Sequence, residues 1–244
     1  MKVASAAGEA GERYLASVAE MLAMVTVANR DSLRGAARIL ADAVEADGLI
    51  HAFGSGHSQL LALELTGRAG GLVPVNVIYD PGYGSAEAVE GYAQTLLRDV
   101  AFRPSDCLVV ISNSGRNAAP VEMARLGRLA GMQVIALTSL GASRDLTSRH
   151  SSGMRLIELA DVVLDNGSLP GDAAVEVPGV GFPSGPTSTI IGAALLNAAI
   201  IEAIEVLIER GVEPPLFRSN NADGGREHNA ALRARFAGRM RTFI

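Results

Sequence analysis

Residues 109–118 read Val-Val-Ile-Ser-Asn-Ser-Gly-Arg-Asn-Ala. The apolar run ends abruptly at hydroxyl and amide side chains and a glycine, and apolar residues then recur at helical spacing at Val121, Ala124 and Leu129. This pattern predicts a strand, a tight turn and the start of a helix. Such a turn directs backbone N–H groups and the positive end of the helix dipole at one point, which favours a bound phosphate.

The same alternation of strand and helix runs through the middle of the chain. Short apolar segments predict strands over 49–53, 75–79, 107–111, 134–138 and 162–164. The segments between them are long enough for crossover helices, which we predict over 58–68, 87–97 and 120–130. We therefore expect an α/β fold of three layers, with a five-stranded parallel sheet covered by helices on both faces.

Other helices are predicted outside this alternation. One spans 9–28, a second starts at Asp31 as its N-cap and ends at Gly48, and a long apolar helix spans 187–210 after a Gly- and Pro-rich loop over 166–186. We expect a helical extension at 1–48 that packs on the main domain at 49–211. The remaining residues, 212–244, are expected to form a polar tail with a short helix.

Composition limits the classes of function. The chain has 244 residues, of which 48% are hydrophobic and only 4% aromatic, and its net charge of −5 comes without any basic run. This excludes a nucleic-acid surface. The single cysteine, Cys107, starts a predicted buried strand and is expected to be a core residue. No signal-peptide pattern is present, and the apolar run at 190–201 is shorter than the about 20 residues that a membrane-spanning helix needs. We therefore expect a soluble cytoplasmic protein without membrane contact.

Polar residues follow the predicted strands and the long loop. Ligands bind beyond the carboxyl ends of parallel strands, and we expect these polar residues to meet there. The site would then offer hydroxyls and unbonded helical N–H groups, without a lysine. The glycines at 54 and 56 lack the third glycine of a dinucleotide fingerprint, and no Walker motif is present, so no cofactor is expected. The candidate phosphate- and substrate-binding residues are Ser55, Ser58, Ser112, Asn113, Ser114, Asn117, Ser184, Thr187 and Ser188.

At these positions the sequence resembles a known family. Residues 112–117, Ser-Asn-Ser-Gly-Arg-Asn, resemble the Ser-x-Ser-Gly-x-Ser/Thr/Asn signature of the sugar isomerase (SIS) domain. Residues 54–58, Gly-Ser-Gly-His-Ser, and 186–189, Pro-Thr-Ser-Thr, extend the match. Residues 64–68, Glu-Leu-Thr-Gly-Arg, are similar to a motif of phosphoheptose isomerases. The resemblance covers roughly residues 10–210.

The resemblance implies a flavodoxin-like sheet and a phosphosugar ligand, as in SIS-only proteins assigned as phosphosugar or phosphoheptose isomerases. It also implies a homodimer or homotetramer in which a neighbouring subunit supplies site residues. The long final helix has no histidine, unlike that of the phosphoheptose isomerases, so no metal site is expected.

Three residues are candidates for proton transfer. The resemblance implies that Glu64 is an acid or base, although Arg68 stands at i+4 and suits an ion pair. His57 is predicted at a helix N-terminus, where it either relays a proton or caps the helix. His228, in the polar tail, is a candidate for completing a site in its own or a neighbouring subunit. Glu87 and Glu90 are further site candidates.

These residues favour an aldose–ketose isomerase of a sugar phosphate that acts through an enediolate. Two alternatives remain open. The first is a lyase that resembles the muramic acid 6-phosphate etherases, and the second is a non-catalytic phosphosugar sensor.

Overall fold

The computed structural model describes residues 9–240 of the chain. Its regular elements alternate as the sequence predicts, apart from their boundaries. The elements are α1 (Glu9–Ala28), α2 (Arg30–Glu45), β1 (Ile50–Gly54), α3 (Ser58–Glu64), β2 (Val75–Ile78), α4 (Tyr92–Leu96), β3 (Cys107–Ile111), α5 (Ala118–Leu129), β4 (Gln133–Thr138), α6 (Leu140–Ser143), β5 (Val162–Asp165), α7 (Ser188–Glu209) and α8 (Gly225–Arg235), with a 3₁₀ turn at Leu156–Glu158.

The strands form one parallel sheet in the order β2-β1-β3-β4-β5. In register, Ile50 of β1 pairs with Val75 of β2 and with Cys107 of β3. The strand order reverses between β1 and β3, because the chain first adds β2 on one side and then β3 on the other. The expected five-stranded, flavodoxin-like α/β fold is confirmed.

The two faces of the sheet bury separate cores because strand side chains alternate in direction. In β3, Cys107 and Val109 point into a core closed by α1, α2, α3 and α7. Leu108 and Val110 point into the opposite core, closed by α4 and α5. Burial raises the pKa of the Cys107 thiol, which is consistent with the expected core role.

Two helix starts differ from the sequence predictions. Asn29, not Asp31, is the N-cap residue of α2, and its side chain accepts a hydrogen bond from Asp165 N at 2.7 Å, which ties α2 to the end of β5. The helix expected over 87–97 is only α4, because Gly84 and Gly91 adopt φ values of 90° and 85° and hold the preceding segment in turns.

Helix α7 is apolar on nearly all sides but is buried on one side only. It packs mainly against α2 and also contacts α1 and α3. Its other face exposes Ile190, Ile201 and Ile208, and α1 exposes Leu15 and Met24. Of the helices in residues 9–240, α7 is the one long and apolar enough to cross a membrane, a property that it shares with core helices of soluble proteins.

The C-terminal segment packs at the amino ends of the strands. Phe217 and Phe236 form a small third core with Leu49, which directly precedes β1. Arg239 reaches the buried carboxylate of Asp106, which precedes β3, at 2.7 Å. This segment is therefore anchored at the end of the sheet opposite to the loops that follow the strands.

Candidate functional site

A cleft of about 470 Å³ opens beyond the carboxyl ends of β1 and β3, at the reversal of the strand order. This is where open parallel sheets bind ligands, and the volume suits a small metabolite. Its lining combines small polar side chains with few charged groups. The polar and charged lining residues are Ser55, His57, Ser58, Tyr83, Glu87, Ser112, Asn113, Ser114, Asn117, Asn166, Asp172, Ser188 and Thr189.

The loop after β3 is held in a fixed shape. The Ser112 hydroxyl accepts a hydrogen bond from Gly115 N at 3.3 Å. Gly115 has φ +59°, and a Cβ atom there would lie 3.2 Å from the Thr138 hydroxyl, so this turn requires glycine. Among residues 9–240, no group hydrogen-bonds the Ser114 hydroxyl, which lines the cleft. It is therefore available to a ligand.

The side chain of Asn113 connects this loop to the loop after β5. Its Oδ1 accepts hydrogen bonds from Asn166 Nδ2 at 2.9 Å and from the Ser168 hydroxyl at 2.8 Å. Asn113 therefore positions two walls of the cleft relative to each other.

The loop after β1 offers fewer backbone donors than expected. Ser58 N and Gln59 N bond the carbonyl oxygens of Ser55 and Gly56 at 3.2 and 3.1 Å, because α3 begins in a tight turn. A Cβ atom at Gly54 would lie 2.3 Å from the Ser58 carbonyl oxygen, so the turn folds directly onto the end of the strand. His57 and Ser58 still present their side chains to the cleft.

Asp80 organises the rear wall of the cleft, although it is not among the predicted site residues. Its buried carboxylate accepts hydrogen bonds from the hydroxyls of Ser55 and Tyr92 and from Gly82 N and Gly84 N, both at 2.9 Å. Burial opposes ionisation, but these donors outweigh it and lower the pKa of Asp80. Burial and the adjacent carboxylate raise the pKa of Tyr92 to about 12. The Ser55 hydroxyl is thus committed to Asp80.

The N-terminus of α7 is occupied by Asp172, another residue not identified from the sequence. Its carboxylate accepts Thr187 N at 3.1 Å, Ser188 N at 2.9 Å and both side-chain hydroxyls of these residues. Thr187 is buried and does not line the cleft. Ser184 also lies outside the lining, in an antiparallel bridge with Val175. The expectation of unbonded N–H groups is therefore wrong for Thr187 and Ser188 at the start of α7, as it is for Ser58 at the start of α3.

The N-terminus of α5 keeps its donors. The N–H groups of Asn117 and Ala118 have no hydrogen-bonding partner within residues 9–240. The Asn117 side chain lines the cleft and accepts a hydrogen bond from Arg149 Nη1 at 3.2 Å. A guanidinium group therefore stands beside this end of the cleft, which makes it the most favourable place for an anion.

Glu87 and His57 line the cleft and can transfer protons, as can Asp172, whose carboxylate already accepts hydrogen bonds at the start of α7. The His57 ring packs edge-on against Tyr83, with ring centroids 5.7 Å apart. Glu64 lies elsewhere: it pairs with Arg68, which stands four residues later and beyond the end of α3, and it is not part of the lining. Since α3 ends at Glu64, this side chain is a full helix length from the cleft loop.

His228 is also distant from the cleft of its own chain. Its Nε2 lies 2.9 Å from the Leu216 carbonyl oxygen, within the segment packed at the amino ends of the strands. Glu90 binds Ser151 outside the cleft, through the N–H group and the hydroxyl. His150 is buried outside the cleft, with its Nε2 3.6 Å from Glu122.

Within residues 9–240, no group of three or more His, Cys, Asp and Glu side chains is placed to hold a metal ion. The polar lining of the cleft therefore consists mainly of hydroxyls, amides and the α5 N–H groups, with the carboxylates of Glu87 and Asp172. Hydroxyls and N–H groups of this kind suit a single phosphate bound without a lysine.

Comparison with known proteins agrees with the fold and the motifs. The family model described as the SIS domain matches residues 13–139, just over half of the chain. The chain belongs to the SIS domain family. Among its relatives, this SIS protein is 45% identical to UPF0309 protein lmo0025 of Listeria monocytogenes over 210 residues, which are 86% of this chain and 90% of the relative.

Solved structures share the SIS fold at lower identity. Phosphoheptose isomerase GmhA from Neisseria gonorrhoeae superimposes with a TM-score of 0.54 at 21% identity, covering 78% of this chain and 95% of GmhA. The Vibrio vulnificus NanR protein complexed with ManNAc-6P gives a TM-score of 0.54 at 14% identity, covering 95% of this chain and 72% of NanR. These likenesses establish the fold that the SIS domain adopts here.

Proposed function

We propose that this protein binds a sugar phosphate and acts as an aldose–ketose isomerase through an enediolate. The observation that carries the proposal is that a place for one anion and two proton-transfer groups, Glu87 and His57, line the same cleft. Membership of the SIS family supports a phosphosugar ligand. No cofactor enters the proposal.

The phosphate lies at the N-terminus of α5. Ser114 and Asn117 line the cleft at this point, and the N–H groups of Asn117 and Ala118 are directed by the helix start. Ser112 and Asn113 shape the loop, while Ser58 faces it from the start of α3. Ser188 lines the cleft from α7 and is a contact for the sugar hydroxyls.

The reaction takes place at the carbonyl end of the open-chain sugar. The Glu87 carboxylate removes the proton from C2 of the aldose, and the electron pair of that C–H bond forms the C1–C2 double bond of the enediolate. Glu87 then returns the proton to C1, which gives the ketose. His57 moves the remaining proton from the C2 oxygen to the C1 oxygen, so that no proton is gained or lost overall.

Glu64 and His228, which the sequence suggested as catalytic groups, have no role in this scheme within one chain.

We also propose that the protein is a cytoplasmic homodimer. The apolar faces of α1 and α7 are adjacent and expose Leu15, Met24, Ile190 and Ile201. A second copy covers this face, because an exposed apolar patch of several large side chains disfavours a free monomer in water. Replacing Ile201 by Glu is expected to shift sedimentation from dimer to monomer, and an unchanged sedimentation coefficient would exclude this face.

Two alternative functions share the phosphate site. In an etherase-like lyase, the same C2 proton is removed, but a group at C3 then leaves. In a sensor, binding occurs without turnover; the SIS-fold neighbour NanR is a protein whose structure holds ManNAc-6P. Mass analysis of the product separates lyase from isomerase, and tight binding without turnover identifies a sensor.

The deciding experiment is solvent deuterium exchange on a panel of aldose and ketose phosphates. Wild type is expected to catalyse exchange at the carbon beside the carbonyl. In E87Q the exchange rate should fall by at least about a hundredfold. The matched control is E64Q, which removes the same charge outside the cleft and is expected to keep the rate. Loss of exchange in E64Q but not in E87Q would reverse the assignment of the base.

Binding is tested separately with Ser114→Ala in a thermal-shift assay, because a ligand that binds the folded state raises the melting temperature. A shift equal to that of wild type would place the phosphate elsewhere.

A further inference from the structure

The charges around the cleft are distributed unevenly. Arg149 stands beside the α5 end through its hydrogen bond to Asn117. Neither Lys nor Arg is among the lining residues in the described part of the chain. The charged lining instead includes two carboxylates, Glu87 and Asp172. The cleft therefore has one end suited to an anion, and walls that repel a second one.

Asp172 lies where a second anionic group of a ligand would otherwise bind. Two N-termini of long helices, α5 and α7, point at the cleft, and a ligand with two anionic groups would use both. Asp172 already fills the second: its Oδ1 lies 3.1 and 2.9 Å from Thr187 N and Ser188 N. Its carboxylate thus takes the first two backbone donors of α7 and adds a negative charge where a second anion would lie.

The backbone holds Asp172 in place. Its φ of +52° is unusual for a residue other than glycine, and Gly171 before it has φ +84°. The same loop is fixed further along by the bridge between Val175 and Ser184 and by the Tyr14 hydroxyl, which donates to the Pro186 carbonyl at 2.6 Å. The carboxylate is therefore a built part of the cleft wall.

We propose that Asp172 restricts this cleft to sugar phosphates with a single anionic group. The ligand places its phosphate at α5 and turns a neutral, hydroxyl-bearing part toward α7. Sugar bisphosphates, phosphorylated aldonates and phosphorylated lactyl ethers are disfavoured, since their second charge meets Asp172 without a counter-ion. The proposal rests on the proposed phosphosugar site and deepens it, and it also weighs against the etherase-like lyase, whose substrate carries a carboxylate.

The test compares matched ligands by isothermal titration calorimetry. Glucose 6-phosphate is compared with glucose 1,6-bisphosphate and with 6-phosphogluconate, and other hexose 6-phosphates are compared with their bisphosphates and aldonates. Wild type is expected to prefer the member of each pair that has a single anionic group by about tenfold or more. This preference should weaken as the ionic strength is raised, because salt screens charge repulsion.

The variant D172N keeps the side-chain volume and the oxygen that accepts Thr187 N and Ser188 N, and asparagine tolerates a positive φ. It is expected to reduce the preference by about tenfold, mainly through tighter binding of the ligand with two anionic groups. The control is Glu209→Gln, which removes one negative charge at the other end of α7, about 30 Å away, and should leave the preference unchanged.

Two results would overturn the proposal: wild type binds both members of each pair equally, or D172N keeps the wild-type preference. Failure of the proposed function looks different. In that case wild type binds no hexose 6-phosphate, or Ser114→Ala binds it as tightly as wild type does.

Discussion

Replacing Asp106 by Asn tests how the C-terminal segment is attached to the sheet. The buried carboxylate of Asp106 accepts Leu49 N at 2.8 Å, Arg103 N at 2.9 Å and Arg239 Nη2 at 2.7 Å. It also lies 3.2 Å from His51 Nε2. An asparagine fits the same volume, but it carries no charge and directs its own N–H donors at neighbouring donors. We expect D106N to fold with a reduced free energy of unfolding.

The magnitude follows from the pKa of this carboxyl. Burial opposes ionisation, but the hydrogen bonds from His51, Leu49 and Arg239 outweigh it and lower the pKa of Asp106 to about 2. Since the pKa of an unfolded Asp is about 3.9, the ionised group contributes about 2.5 kcal/mol of stability at pH 7. A lowered pKa means that this contribution is present above the unfolded pKa and is lost as the pH falls. About half of it remains at pH 3.

Urea denaturation of wild type and D106N at pH 7, 5 and 3 measures this contribution. The difference in unfolding free energy should be near its full value at pH 7 and 5 and should narrow at pH 3. The matched control is Asp31→Asn, because the Asp31 side chain is 97% exposed and its replacement should change stability by less than about 0.5 kcal/mol. A difference that stays constant down to pH 3, or is absent at pH 7, would refute the linkage of stability to this carboxyl.

Two further changes test the cleft walls. Gly54→Ala forces a Cβ atom against the Ser58 carbonyl oxygen and should lower the melting temperature by several degrees or more. The control is Gly11→Ala, at an open position on α1, which should raise stability by about 0.5–1 kcal/mol. Differential scanning calorimetry of both variants checks this, and equal melting temperatures would contradict it. Tyr92→Phe removes a hydroxyl that donates to Asp80 and should cost about 1.5 kcal/mol in urea denaturation, so a loss below about 0.5 kcal/mol would show that this bond contributes little.

The sheet could be predicted from the sequence because its strands are buried on both faces and therefore read as continuous apolar runs. The strand at Cys107–Ile111 was predicted at its observed boundaries, and the loop after it lies at the cleft as expected. The helix expected over 58–68 ends at Glu64, since Gly67 adopts φ +72°. The division of the chain at residues 48 and 211 stays a prediction.

The parts of the cleft that escaped prediction depend on long-range contacts. Asp172 caps a helix that begins 16 residues later, and no local pattern in a Gly- and Pro-rich loop signals such a contact. Asp80 could have been found, because an Asp-Pro-Gly sequence directly after a strand is typical of a side chain that holds the following turn. The family motif drew attention to Glu64, whereas Glu87, named only as a further candidate, is the glutamate that lines the cleft.

The packing of α2 against α7 has a consequence for how the chain folds. These helices are separated by more than 140 residues of sequence, yet together they cover one face of the sheet. During synthesis, the apolar side of α2 therefore stays without its partner until nearly the whole chain has left the ribosome. Such long-range contacts slow folding and prolong the exposure of apolar surface. The first half of the chain is for this reason a poor candidate for expression as a separate fragment.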